Sequence, residues 1–327
     1  MKTNAIVRII IWSIVILMLT GVLNSVLFGW RLNSRYREDF GFDQAADGPS
    51  AAITGGTGGT VDAAQARRIS IDWVAGSITL EAAQVDSIQF SEAALSQLKY
   101  AMVWNQSNDK LTIRFCESAS RGFGIGLNED ISKDLTILVP MDYDLHSLEV
   151  NAASATLDVR NLAIREVDFN GASGNCNFVN CVIDQLDLDT ASGDIYFTGS
   201  LEKLDCDAAS ASVFAVFDNV PRSIEMDSMS GDLDITLPSD AGFAVTMDAL
   251  SSDFISDFEY AQRGGSYHRG DGGCRIDMDA MSGDVYIREH KEASAAPAAH
   301  HHSEECTTHP ESCPDNAAHH TQPYHNE

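Results

Sequence analysis

At 327 residues the chain is long enough for about two domains, and it carries 21 Lys plus Arg against 48 Asp plus Glu, a formal net charge of −27. Nucleic acid and anionic lipid repel so acidic a chain, so neither is expected as a partner. The acidity suits solubility, cations and basic partners.

The N-terminus sets the first expectation. Residues 1–8 contain Lys2 and Arg8 and are predicted to be cytoplasmic; residues 9–30, IIIWSIVILMLTGVLNSVLFGW, contain no charge at all. As a helix such a run is about 33 Å long, enough for a hydrocarbon core of about 30 Å. It ends in LFGWRLNS rather than in small residues of a cleavage site, which predicts one uncleaved transmembrane helix instead of a signal peptide. Trp12 and Trp30 stand near its ends, where interfacial aromatics belong. Flanking charge alone, with Arg31, Arg35 and Arg37 after the run, favours a cytoplasmic C-terminal part. The repeats described next favour the opposite orientation, and the extracytoplasmic placement is the one adopted.

Residues 31–66 read as a flexible linker, because from 38 onward they are dominated by Gly, Ala and small polar residues. Residues 67–290 carry the alternating apolar pattern of strands. Residues 291–327, rich in His and lacking any apolar period, read as a disordered tail.

The middle region repeats. Units begin ISIDWVAGS (69), LEVNAASAT (148), VDFNGASGN (167), LDLDTASGD (186), LDCDAASAS (204), IEMDSMSGD (224), VTMDALSSD (245) and IDMDAMSGD (276), and from 148 to 245 they recur every 18 to 21 residues. The first and third positions are apolar and point inward, with an outward residue between them, as in Leu186-Asp187-Leu188. The fourth is always Asp or Asn, which can hydrogen-bond the backbone two residues on and so form the turn. Gly174, Gly193, Gly231 and Gly283 supply positive φ at the corner, and a second apolar strand resumes at once.

No unit can bury its inward face alone, but stacking buries a continuous strip. The prediction is an all-β fold, a β-solenoid of coils of about 19–20 residues. A β-sandwich is the weaker alternative, since it has no reason to repeat one corner. Two stretches depart from the pattern. YAMVWNQSNDKLTIRFCE predicts a hairpin turning at Asn108-Asp109, followed by a loop, SASRGFGIGLNED; DFEYAQRGGSYHRGDGG, residues 257–273, interrupts the stack before its last unit.

The run DLTILVPMDYDLHSLEVNAASATLDV, followed by serial SGD and SGN corners, resembles the bacterial putative-adhesin family of SGD-repeat β-solenoid proteins, which includes LiaX- and LiaG-type envelope proteins. The resemblance covers about 69–290. It implies a β-helical fold, attachment to the cell membrane, an extracytoplasmic location and no catalytic residues. The function expected is therefore a cell-surface scaffold, an adhesin-like interaction module acting in the envelope-stress response, with an unidentified protein or cell-wall partner. The alternatives are a β-helical enzyme acting on polysaccharide and a metal-binding surface protein.

Chemistry is sparse. The G-x-G in RGFGIGLNED is a weak phosphate signal, and no GxSxG, HExxH or Walker sequence is present. Ser154, Ser173, Ser192 and Ser230 recur at corners and read as turn formers, and no enzyme activity is expected. Cys176 and Cys206 fall on apolar columns and read as buried thiols. No cofactor is required by this reading. In the tail, His302, Cys306, His309 and Cys313 are of the types that hold zinc, though their spacing matches no zinc finger. Along the stack Asp189, Asp207, Asp227 and Asp248 share one column, which would bring like charges together and suit calcium if neighbouring units align in chain order.

Overall fold

The computed structural model describes residues 54–55, 57–93, 101–115 and 132–290. The predicted membrane helix at 9–30, the loop after Phe115 and the tail with His302, Cys306, His309 and Cys313 lie outside the described residues. Among the described residues no helix is long and apolar enough to cross a membrane.

The described chain is all-β, and its only helix is the 3-10 turn Ala63–Gln65. Twenty strands join in one hydrogen-bonded sheet that folds around corners into coils. Each coil has a face A, carrying the Φ-x-Φ-Asp stretch, and a face B, carrying the apolar pair after the corner. Leu186 and Leu188 are buried while Asp189 is exposed, the period-2 alternation expected of a strand with one face on the core.

All eight repeat units stack on face A in parallel register. Ile69 pairs with Leu148, Leu148 with Val167, Val167 with Leu186, Leu186 with Leu204 and Leu204 with Ile224. The first-position residues of all eight units are no more than 2% exposed, so the core is one continuous strip.

The stacking order departs from chain order at the C-terminal end. Ile224 pairs with Ile276, and Ile276 pairs with Val245 on its other side. On face B, likewise, Leu233 pairs with Val285 and Val285 with Phe254. The last unit is thus inserted between the two that precede it, and the expectation that Asp227 neighbours Asp248 is corrected. The insertion at 257–273 makes this possible. It turns back as the hairpin Ala261–Arg263 and Ser266–Arg269, whose second strand lies antiparallel against Phe243–Val245. Tyr260 and Tyr267 pack on Phe254, roofing part of that end.

The N-terminal end is arranged alike. The Ile69 unit lies between the Leu148 unit and the strand Lys110–Arg114, which is the second arm of the predicted hairpin; Asn108 takes the left-handed turn with φ 55. Leu111, Ile113 and Met102 are fully buried, so this end is closed.

The linker boundary also needs correction. Gly58–Val61 pairs antiparallel with Ile88–Glu92, and Val61 and Ala66 are buried, so residues 58–66 belong to the folded body. The two glycines mislead because they signal close approach rather than flexibility. A Cβ on Gly59 would strike the rings of Phe90 and Trp104.

The corner glycines follow the same logic. Gly193 has φ 127, and a Cβ there would overlap the carbonyl of Gly174 in the neighbouring coil. Glycine is required both for the bend and for the rung spacing.

Candidate interaction surface

Side chains outside the core stand in columns, because residues two apart on a strand share a face and parallel register repeats them from coil to coil. On face A the fourth-position column reads Asp72, Asn151, Asn170, Asp189, Asp207, Asp227, Asp279, Asp248 in stacking order. Beside it runs a second column of Glu149, Asp168, Asp187, Asp205, Glu225 and Asp277. The sequence alignment identifies most of these acids but places Asp248 where Asp279 stands.

The five aspartates at the C-terminal end of the first column do not form turns. Among the described residues none of their carboxylates accepts a hydrogen bond or an ion pair. Partial desolvation, with Asp279, Asp207 and Asp205 around it, pushes Asp227 up to about 6. Burial and like charges also raise Asp168, Asp189, Asp205 and Asp279, and burial raises Asp207.

Turn formation belongs instead to the ninth position. From Asn175 onward the side chain at this position accepts the backbone N–H of its counterpart in the next coil. Asp194 N–H donates to Asn175 at 3.0 Å, Ser212 to Asp194 at 3.2 Å, Asp232 to Ser212 at 3.0 Å, Asp284 to Asp232 at 2.9 Å and Asp253 to Asp284 at 2.8 Å. This ladder satisfies amides that the bend would otherwise strand. The aspartate of each SGD corner is therefore structural. So are the serines, with Ser173 Oγ 3.1 Å from Ser154 Oγ and Ser210 Oγ 3.4 Å from Ser230 Oγ.

The two ends of the acidic columns differ. At the N-terminal end Arg114 lies 3.4 Å from Asp72, which also accepts from Asn151 at 3.0 Å. Lys110 reaches Glu149 at 2.9 Å. Burial works against the Glu149 carboxylate, but its bonds to Lys110 and Ser70 outweigh that and hold it below the usual range. At the C-terminal end the columns stop at Thr246 and Asp248; Arg275 pairs with Asp277 at 2.5 Å, whereas among the described residues no cation pairs with Asp279 or Asp248.

Face B carries a different surface, which the sequence columns did not single out. Tyr196 and Phe214 stack at 5.2 Å between ring centroids, with Val179 and Val216 exposed in the adjoining column. A cleft of about 580 Å³ opens on the side away from the corners, where the chain leaves face B and returns to face A, lined by Arg67, Asp86, Met141, Tyr143 and Asp144 among others. Arg67 and Arg165 both donate to Asp144, at 3.1 and 3.2 Å, so those charges are already engaged.

No three or more His, Cys, Asp or Glu are placed to hold one metal ion among the described residues. Cys176, Cys181, Cys206 and Cys274 are free and buried, and burial pushes the Cys206 thiol up to about 12, where it is inert.

A family profile described as Toastrack DUF4097 matches residues 66–213 and again residues 157–288. No curated protein matches the chain. Among solved structures, a putative cell adhesion protein from Clostridium sporogenes is 9% identical, covering 73% of this chain and 99% of its own, with a TM-score of 0.33. A putative adhesin from Bacteroides fragilis is 12% identical over 75% and 100%, with a TM-score of 0.39. A putative lipid binding protein from Parabacteroides distasonis is 10% identical over 76% and 100%, with a TM-score of 0.29. Likeness at this level transfers no ligand and no partner.

Proposed function

The chain belongs to the Toastrack DUF4097 family, and on that footing we propose that it is a membrane-anchored, extracytoplasmic β-solenoid serving as an adhesin-like interaction module at the cell surface. The observation that carries the reading is the stack itself. Eight units hold two acidic columns and an aromatic-bearing second face in fixed register, and the strongest recurring polar groups, the corner Ser and Asp, are spent on the fold. Rigid rows of side chains suit recognition of an extended or repetitive partner. The uncharged run at 9–30 would anchor this stack to the membrane. A role in sensing or buffering envelope stress fits a module held close to its own membrane.

The test is protease accessibility in intact bacterial cells producing the full chain. Digestion of the 58–290 body from outside is the expected result, with the remaining chain no longer partitioning into membranes when 1–30 is deleted. A body that stays intact until the cells are permeabilised would sink the extracytoplasmic assignment. Crosslinking on intact cells, followed by recovery of the full chain, then reads out the partner.

A further inference from the structure

The C-terminal end of face A is an unfinished rung. On its outer side the strand Phe243–Ser251 pairs with the hairpin only at Phe243–Val245, and among the described residues no strand covers Thr246–Ser251. A parallel strand left unpaired presents alternate N–H and C=O groups outward, a template for one more strand. The core is incomplete at the same place. Ile71, Val150, Phe169, Leu188, Cys206, Met226 and Met278 occupy the third position at no more than 2% exposure, whereas Met247 is only half-buried. Ala249 is also half-buried, and Leu250 is 53% exposed.

Charge then selects the occupant. Asp248 ends a column whose other end is closed by Arg114 against Asp72, with Lys110 doing the same for the neighbouring column. Asp279 stands beside Asp248 in register with no cation paired to either among the described residues, whereas Asp277, beside Thr246, is already paired with Arg275. A second copy docking edge to edge would add its own Asp248 and Asp279 to this row, between chains that each carry a net charge of −27.

We propose that the outer edge of Thr246–Ser251 receives, in parallel register, an extended segment of a partner protein with a basic residue opposite Asp248. Small or flexible apolar side chains of that segment lie over Met247 and Ala249 and complete the core, and an apolar one meets Leu250. The main-chain bonds supply attachment, and the basic residue supplies the choice of partner. An edge of six residues makes this a short, reversible contact rather than a permanent one.

The experiment uses the full chain in detergent and dye-labelled peptides copying residues 245–251, one unchanged and one with Asp248→Arg, titrated by fluorescence anisotropy. The arginine peptide is expected to bind at least roughly tenfold more tightly than the unchanged one, with the advantage shrinking as salt rises. The protein variant Asp248→Arg should reverse the order of the two peptides while keeping its circular-dichroism spectrum. A double substitution, Met247→Lys with Leu250→Lys, should weaken both peptides. Equal binding of the two peptides, or binding of neither, would overturn the proposal. Concentration-dependent self-association abolished by Asp248→Arg would overturn it in favour of a second copy.

Discussion

Asp227 lies in register with Asp279, with nothing but the strand spacing between their backbones, and the next residue along that row is Asp248. A like-charged row of this kind, built into a stable stack, sets the pH dependence of the molecule.

Stability should rise as the pH falls from about 7.5 to about 5. Asp227 titrates near 6 in the folded state, above its unfolded value of about 3.9. Its stabilising contribution is therefore fully present below the unfolded value and is lost as pH rises through 6. Asp189, Asp205, Asp207 and Asp279 are raised in the same direction. Glu149 acts oppositely, since its folded value is depressed and its contribution is lost as pH falls through it. Melting midpoints should climb by a few degrees towards pH 5 and then fall. In Asp227→Asn the midpoint at pH 7.5 should be higher and the climb smaller. A flat profile in the parent protein would refute the prediction.

Burying a charge in the strip should unfold the stack. Leu188 is 2% exposed and lies between Phe169 and Cys206 in register. Leu188→Asp removes apolar burial and adds an unpartnered carboxylate, a cost of at least about 3 kcal/mol. The β signal in circular dichroism should be lost at temperatures the parent survives. Lys203→Ala, on an exposed site, should leave the midpoint within about 0.5 kcal/mol of the parent.

The corner ladder predicts a graded series. Asp232→Ala strands the Asp284 amide and should cost about 1–3 kcal/mol in urea titration. Gly193→Ala should cost more, because the added Cβ meets the Gly174 backbone at an unfavourable φ. Gly265→Ala, at φ 91 but with open space around it, should be the mildest. Equal costs at the two glycines would argue against rung spacing as the constraint.

The buried pair Lys133–Glu92 is worth testing as a unit. Both side chains are at most 10% exposed, and Glu92 also accepts the Met102 amide. Lys133→Met alone leaves a buried carboxylate and should cost roughly 3–5 kcal/mol. Adding Glu92→Leu should recover a substantial part of that loss, read from urea midpoints of the double mutant cycle.

Fold class and repeat register were legible because each unit repeats the same letters at the same inward positions, from Ile69 to Ile276. Stacking order was not. Every unit presents an interchangeable Φ-x-Φ-Asp edge, so Ile224 could pair equally well with Val245 or Ile276 on local grounds. The choice depends on the 257–273 hairpin, whose role emerges only when it folds against Phe243–Val245. The roles of the two acidic positions were reversed for a related reason. Asn and Asp favour turns locally, but Asp227 lies mid-strand, and the residue at the bend is Asp232. Residues 58–66 were missed because glycines that admit Phe90 and Trp104 carry the same letters as a linker. The unfinished edge at Thr246–Ser251 had no signature in sequence, since it follows from the stacking order.

The inserted final unit also bears on synthesis. A chain leaving the ribosome makes residues 243–256 before residues 274–289, yet the earlier segment belongs one place farther out. Until translation has passed Glu289, the Ile224 unit has a vacant neighbour, and the Val245 unit carries a matching edge that could occupy it prematurely. The last unit acts as a keystone: the stack can take its final order only when nearly the whole body has been made.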